Sequence, residues 1–246
     1  MALKLVIGNK NYSSWSMRPW LALRANDIGF EEIFIPLYTG AADKNRILGF
    51  SHSGKVPVLI DGDVTIWDSL AIIEYLAERY PEKRLWPEDR ASRAHARSIS
   101  AEMHSGFVAL RNECGMNLHR PVGAIALSDD ARANIARVQQ IWTECRGRYG
   151  KLGPFLFGSF GGADAMFAPV VWRFLTYAVE LPPACVTSSS VPLPKTASVT
   201  GVTAADAASP SSFPAVRNVL PLAFSVNEKL CAASSKRRTS VAFSIE

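Results

Sequence analysis

Three short segments within the first seventy residues carry groups that could bind a small polar molecule. The first is the pair Ser13 and Ser14, whose hydroxyls stand where a helix is expected to begin. A helix start offers unpaired N–H groups and the positive end of the helix dipole, and these favour a thiolate over a thiol. Capping of the helix by Ser13, Ser14 or Ser16 explains the same residues, so both interpretations stay open.

The second segment is Gly54–Val58, in which Pro57 stands at the entrance to a predicted strand. A proline in this position can follow a cis peptide bond, which usually marks a specific turn. The main chain of Val56 would then be free to pair with an extended peptide, as an added strand does. An ordinary loop leading into an edge strand is the alternative.

The third segment is Asp68 and Ser69, at the start of another predicted helix. Helix N-termini bind anions, so the N–H groups here and the Ser69 hydroxyl could hold a carboxylate. A simple N-cap is again the alternative. Taken together, the three segments would bind a thiolate, a peptide main chain and a carboxylate. That combination fits a small acidic peptide with a thiol, and glutathione is the expected ligand.

The elements that position these segments alternate between strands and helices up to about residue 80. The predicted elements are a strand at Leu3–Gly8, a helix ending near Ala25, strands at Ile33–Pro36, Pro57–Ile60 and Val64–Trp67, and a helix at Ser69–Arg79. Pro19 is expected in the first turn of its helix, where its missing N–H has no helical partner. The order predicts a small mixed sheet with helices packed on it.

From about residue 88 the pattern becomes helical. One helix is predicted over Glu88–Cys114, a second from Ser128, and a third from Gly161–Gly162 to about Tyr177. The predicted divisions are therefore an α/β domain over 1–84, an all-helical domain over 88–185 and an atypical tail over 186–246. The tail is rich in Ser, Ala, Pro and Val, has neither Trp nor Tyr, and shows no period, which is typical of disorder.

Composition, charge and cysteine spacing argue against several classes of function. The net charge of +5 comes largely from residues 186–246, and no basic stripe with interleaved aromatics precedes them, so no nucleic-acid partner is expected. No apolar run is long enough to span a bilayer, so no membrane association is expected. The start, Met1–Lys10, lacks a leader pattern, which favours a cytoplasmic location. The four cysteines are widely spaced, which argues against zinc or a dithiol centre, so no metal is expected.

The run Ser13–Arg18, read Ser-Ser-Trp-Ser-Met-Arg, resembles the Ser-Ser-Cys-Ser-Trp-Arg motif of zeta-class cytosolic glutathione S-transferases, a class that includes maleylacetoacetate isomerases. Trp15 stands where that motif has its cysteine. Lys55–Pro57 and Asp68–Leu76 match the Val-Pro and Glu/Asp-Ser motifs of the superfamily. The resemblance covers about residues 3–183. It implies a thioredoxin-like α/β domain followed by an all-α domain.

The resemblance also implies roles for the first group of residues. Ser13 would be the hydroxyl beside the glutathione sulfur, with Ser14 as its rival. Val56 would pair with the cysteinyl main chain, and Pro57 would be cis.

Further roles follow from the same resemblance. Asp68 and Ser69 would hold the γ-glutamyl end, and Lys55 could reach the glycyl carboxylate. The helical domain would supply the pocket for the electrophile, on one face of the predicted long helix. Its candidates are Met103, His104, Phe107, Leu110 and Arg111. A core stripe explains Met103, Phe107 and Leu110 equally well, so His104 and Arg111 are the more informative pair.

The implied function is that of a glutathione S-transferase, with glutathione as co-substrate and a small electrophile as partner. Conjugation, peroxide reduction and isomerisation all start from the same thiolate. The resemblance also implies a homodimer. The alternative is a glutathione-binding protein without turnover, acting in regulation or partner binding, since one fold serves many functions.

Overall fold

A computed structural model describes residues 2–37, 40–182 and Cys185 of the 246-residue chain. The first part of the chain forms a four-stranded sheet in the order β2-β1-β3-β4. Its strands are β1 (Leu3–Ile7), β2 (Phe30–Phe34), β3 (Val58–Asp61) and β4 (Val64–Trp67). β1 runs parallel to β2, while β3 is antiparallel to both β1 and β4. This is the mixed sheet that the sequence predicts.

Seven α-helices are present in the described residues. They are α1 (Ser14–Ala25), α2 (Ala41–Leu48), α3 (Ser69–Arg79), α4 (Arg90–Ser105), α5 (Val108–Glu113), α6 (Asp129–Tyr149) and α7 (Gly162–Thr176). None of these helices is both long and apolar enough to cross a bilayer. The predicted order, a thioredoxin-like α/β part followed by a helical part, is confirmed. The predicted tail over 186–246 lies outside the described residues.

Alternation along the strands gives the sheet two buried faces. Leu5 and Leu59 belong to the main hydrophobic core, together with residues of α1 and α3. Val6 and Val58 point to the opposite face and form a smaller cluster with Ile47 of α2. The main core continues into α4, α6 and α7, and α7 packs against both α1 and α4. Shared packing therefore fixes the α/β part against the helical part.

The two later helices, α6 and α7, begin where the sequence predicts. Ser128 Oγ accepts a hydrogen bond from the N–H of Ala131 at 3.1 Å, which caps α6. Gly161 precedes α7, and the Asp164 carboxylate accepts hydrogen bonds from the N–H groups of Gly161 at 2.9 Å and Leu156 at 3.0 Å. Burial raises the pKa of Asp164 to about 6, despite these donors. The predicted helix starts at Ser128 and after Gly161 are confirmed.

The connection between the two parts is anchored to α7. Leu85 and Trp86 are buried, and the Leu85 carbonyl accepts a hydrogen bond from the N–H of Gly162 at 2.6 Å. A Cβ atom at Gly162 would lie 2.8 Å from Trp86 Cη2 and 2.9 Å from Ile73 Cγ2. Glycine is therefore required at this close contact between α7, α3 and the connection.

The single helix predicted over Glu88–Cys114 is wrong. The chain leaves α4 at Gly106, whose N–H bonds to the Glu102 carbonyl at 2.8 Å. A Cβ atom at Gly106 would lie 2.8 Å from that same carbonyl oxygen. Phe107 then takes a left-handed conformation with φ of 59° and is buried in the core before α5 begins. The helical period carries through the break in the sequence, so periodicity did not reveal it.

Three smaller differences concern the first domain. α1 begins at Ser14, so Pro19 lies in the second turn rather than the first. Because proline has no N–H, the Trp15 carbonyl lacks its usual helical donor. The second strand is Phe30–Phe34 rather than Ile33–Pro36, and α2 was not predicted.

Candidate functional site

The sheet topology brings the three segments together at one end. In the register, Val6 lies beside Val58, and Val58 lies beside Trp67. β3 is antiparallel to both neighbours. The same end of the sheet therefore holds the end of β1, the start of β3 and the end of β4. The start of α1, the residues before β3 and the start of α3 follow directly from these strand ends. The sequence motifs therefore converge in space.

Ser13 caps α1. Its Oγ accepts a hydrogen bond from the N–H of Ser16 at 3.3 Å, and its hydroxyl donates to Ser16 Oγ at 2.8 Å. Ser16 Oγ also accepts a hydrogen bond from the N–H of Gly8 at 3.1 Å, which ties the helix start to the end of β1. Ser14 is also buried, but its Oγ accepts a hydrogen bond from Arg173 Nη2 at 3.4 Å. The two hydroxyls thus have different environments.

The Val56–Pro57 peptide bond is cis, as the resemblance predicts. Main-chain pairing between β1 and β3 begins at Val58, so Val56 lies just beyond the ladder. Neither the N–H nor the C=O of Val56 is hydrogen-bonded to another residue that the structure describes. Lys55 and His52 are exposed beside it. Val56 can therefore present a donor and an acceptor to an extended peptide.

Asp68 caps α3 from an unusual backbone conformation. Its φ is +75° and its ψ is 135°, a region that L-residues rarely adopt. Oδ1 accepts hydrogen bonds from the N–H groups of Leu70 at 2.9 Å and Ala71 at 3.3 Å. Oδ2 lies 3.0 Å from His104 Nε2. Ser69 is buried beneath it, and its Oγ accepts a hydrogen bond from Arg18 Nη1 at 3.4 Å.

His104 brings the helical part to this site. Burial lowers the pKa of His104, and the positive charges of Arg18 and Arg111 add to that effect, while Asp68 opposes it. The imidazole is therefore largely neutral near neutral pH, with its Nε2–H donating to Asp68. Its ring also meets the Trp15 ring edge-on, with the centroids 5.3 Å apart.

Arg111 lies over the Trp15 ring, 5.4 Å from the ring centroid, and Arg18 lies at 4.1 Å. Arg111 also donates to the carbonyls of Met103 at 3.4 Å and His104 at 3.2 Å, and to that of Gly106. These carbonyls end α4, so the guanidinium satisfies groups that the helix leaves unpaired.

The five pocket candidates divide into two groups. His104 reaches both Trp15 and Asp68, and Arg111 reaches Trp15, at the place where the two parts of the chain meet. Met103, Phe107 and Leu110 are buried in the core, as the alternative of a core stripe predicts. Met103 and His104 are neighbours in α4 and point to different faces of it, whereas Arg111 reaches Trp15 from α5, after the break at Gly106.

Sequence reasoning missed two buried arginines. Arg18 is 1% exposed and Arg173 is 6% exposed. Burial, together with repulsion from Arg111 and Arg173, lowers the pKa of Arg18 to about 9. Burial and the charge of Arg111 lower the pKa of Arg173 to about 10. For Arg173 the available signal was a single arginine within the strongly apolar helix α7.

A cavity of about 380 Å³ lies elsewhere, between the connection and the segment before α7. Its lining includes Trp86, Tyr149 and Phe157 but none of the predicted site residues. Within the described residues, no group of three or more His, Cys, Asp or Glu side chains could hold a metal ion. The site is therefore built from hydroxyls, main-chain groups, one carboxylate and cationic side chains.

Comparison with known proteins agrees with this architecture. Residues 12–79 match the family model of the glutathione S-transferase N-terminal domain, and residues 128–218 match that of the C-terminal domain. A probable maleylacetoacetate isomerase of Caenorhabditis elegans is 41% identical over 101 residues, 41% of this chain and 46% of that protein. The glutathione S-transferase GstB of Escherichia coli K12 is 25% identical over 190 residues, 73% of this chain and 87% of that protein.

A solved structure shows a similar fold. It is a glutathione transferase homologue from Burkholderia with bound glutathione, which has a TM-score of 0.57, 23% identity, and coverage of 75% of this chain and 88% of that one. The chain spans about half the length of the first curated relatives it matches. The two family models nevertheless match most of the sequence, one on each side of the connection. The chain belongs to the glutathione S-transferase superfamily.

Proposed function

We propose that the protein is a glutathione transferase that binds glutathione, stabilises its thiolate and adds it to a small electrophile. The observation that carries the proposal is the convergence of two helix starts and the unpaired main chain of Val56 at one end of the sheet. These groups complement the sulfur, the peptide main chain and the γ-glutamyl end of one extended tripeptide.

In this proposal Val56 pairs with the cysteinyl residue through its N–H and C=O. Asp68 accepts from the glutathione α-amino group, while the main-chain N–H and the hydroxyl of Ser69 hold the α-carboxylate. Lys55 is exposed beside Val56 and can reach the glycyl carboxylate. The sulfur then lies near the start of α1, beside Ser13 and Ser14.

The chemistry begins with loss of the thiol proton to solvent. A thiol with an ordinary pKa of about 8.5 is mostly protonated near neutral pH, so hydroxyl donors and the dipole of α1 raise the fraction of thiolate. The thiolate attacks the electrophilic carbon, a C–S bond forms, and the leaving group departs with its electron pair. Peroxide reduction or isomerisation would use the same thiolate.

Retention on immobilised glutathione, followed by conjugation of chlorodinitrobenzene, tests this function. Asp68→Asn keeps a good N-cap but removes the carboxylate, so retention and conjugation should fall together. Asp63→Asn makes the same change at an exposed turn of the same domain and should leave both unchanged. If the wild-type protein does not bind the resin, or if free glutathione does not release it, the proposal is refuted.

A second function, glutathione binding without turnover, is favoured by one observation. Trp15 is half-buried between two guanidiniums, directly beside Ser14. A bulky ring in this position would restrict access of an electrophile to the sulfur. The second function is supported if the wild type is retained on the resin without conjugating the electrophile and the Trp15→Ala variant conjugates it. That result would exclude the first function for the native chain.

We also propose a homodimer in the cytoplasm. Trp67 of the edge strand β4 is 56% exposed, which leaves an apolar ring at the surface beside the site. Gel filtration with light scattering tests the dimer. A Trp67→Glu variant should shift it toward monomer if this surface forms the contact.

A further inference from the structure

Three guanidiniums from three different helices meet at the start of α1. Arg18 comes from α1, Arg111 from α5 and Arg173 from α7. Their charges repel one another. Those of Arg111 and Arg173 help to lower the pKa of Arg18, and that of Arg111 helps to lower the pKa of Arg173. None of the ion pairs among the described residues involves any of the three.

The cationic groups are compensated only in part. Asp68 is the carboxylate that attracts Arg18, and it is already engaged by two N–H groups and His104. Arg111 donates to carbonyls at the end of α4, while Arg173 donates to the carbonyls of Arg111 at 3.4 Å and of Cys114. Dipolar carbonyls do not cancel a full charge. Buried positive charge without a carboxylate partner is costly, which favours an anion at this place.

Arg173 connects this positive region to one of the two candidate hydroxyls. Its Nη2 donates to Ser14 Oγ at 3.4 Å, across the boundary between the helical part and the α/β part. A guanidinium has donors only, so the Ser14 hydrogen is left free to point elsewhere. The Ser13 hydrogen, by contrast, is directed to Ser16 Oγ at 2.8 Å.

We propose that Ser14, rather than Ser13, donates the hydrogen bond to the glutathione sulfur, and that Arg173 acts through Ser14 as a positioning residue for the thiolate. This inference rests on the proposed function, since it concerns how the same site ionises the thiol. Arg173 orients the Ser14 hydroxyl and makes it a stronger donor, because a cation on its oxygen polarises the O–H bond. Ser13 then serves as the cap of α1.

The test measures the pKa of enzyme-bound glutathione by the ultraviolet absorbance of its thiolate across a pH series. Ser14→Ala and Arg173→Gln should each raise that pKa by about one unit, a tenfold loss of thiolate near neutral pH. Arg173→Lys should restore part of the shift because it keeps the charge. Ser13→Ala should leave the pKa close to wild type while lowering the melting temperature.

Two controls separate a charge effect from lost folding. Arg146→Gln removes another half-buried arginine that donates to main-chain carbonyls, and it should leave the thiol pKa unchanged. Affinity for S-methylglutathione, measured by calorimetry, should be unchanged in Ser14→Ala because that ligand has no thiol to ionise.

The outcomes distinguish the two proposals. If Ser13→Ala raises the thiol pKa and the Ser14 and Arg173 variants do not, this inference is overturned while the proposed function stands. If wild-type protein binds no glutathione, or leaves its thiol pKa at the solution value, the proposed function itself fails.

Discussion

Asp68 holds a strained backbone conformation at the centre of the proposed site, and removing its side chain should have an unusual effect on stability. With φ of +75° and ψ of 135°, its conformation suits glycine better than any other residue. Such strain costs about 1–3 kcal/mol. We therefore expect Asp68→Gly to be more stable than Asp68→Ala, the reverse of the usual order within helical or strand interiors.

The magnitude follows from the contacts. Asp68→Ala keeps the strain and loses a cap that accepts two N–H groups, which costs about 1 kcal/mol. Asp68→Gly relieves about 2 kcal/mol of strain, loses only a few tenths as a cap, and adds about 0.7 kcal/mol of unfolded-chain entropy. The glycine variant should exceed the alanine variant by about 2 kcal/mol and lie within about 1 kcal/mol of wild type.

Urea unfolding of both variants measures this difference, with Asp89 as the matched control. Asp89 caps α4 through a hydrogen bond from the N–H of Ser92 at 2.8 Å, but its φ is −65°, where no strain is stored. Its glycine and alanine variants should agree within about 0.5 kcal/mol. If the two Asp68 variants are equally stable, the strain argument is refuted. If either variant still binds immobilised glutathione, the proposed binding role of the Asp68 carboxylate is refuted.

Three further predictions concern other positions. Gly162→Ala should lower the free energy of unfolding by about 2 kcal/mol because its Cβ would lie 2.8 Å from Trp86 Cη2, while Gly147→Ala on the open face of α6 should raise it by about 0.5–1 kcal/mol; a stabilised Gly162→Ala would contradict the packing. Burial raises the pKa of Asp164 to about 6, so its contribution to stability is present below about pH 4 and is lost as the pH rises through 6. The stability of wild type relative to Asp164→Asn should fall by about 2–3 kcal/mol over that range in urea titrations, and a constant difference would count against it. Burial raises the pKa of Cys145 to about 12, so peptide mapping after alkylation near neutral pH should find Cys145 unmodified in the folded protein and modified in urea.

Much of the site was predictable because its signals are local. The hydroxyls of Ser13 and Ser14, the proline at position 57 and the Asp68–Ser69 pair each belong to a helix start or a strand entrance. Their convergence depends on the sheet order β2-β1-β3-β4, in which β3 is antiparallel to both neighbours, so the end of β1, the start of β3 and the end of β4 lie together.

The rest depends on packing between distant parts of the chain. Arg173 contacts Ser14 across 159 positions, and no local pattern predicts such a pair. The break at Gly106 had a local signal, but the apolar period on both sides favoured one continuous helix. Its consequence was the placement of Phe107 in the core rather than beside His104.

In our proposal this end of the sheet binds glutathione with its sulfur ionised. Titration calorimetry near neutral pH, repeated in buffers of different ionisation enthalpy, measures both binding and proton release. We predict release of a substantial fraction of one proton per site with glutathione and none with S-methylglutathione. Absence of binding heat, or the same proton release with both ligands, would contradict the claim.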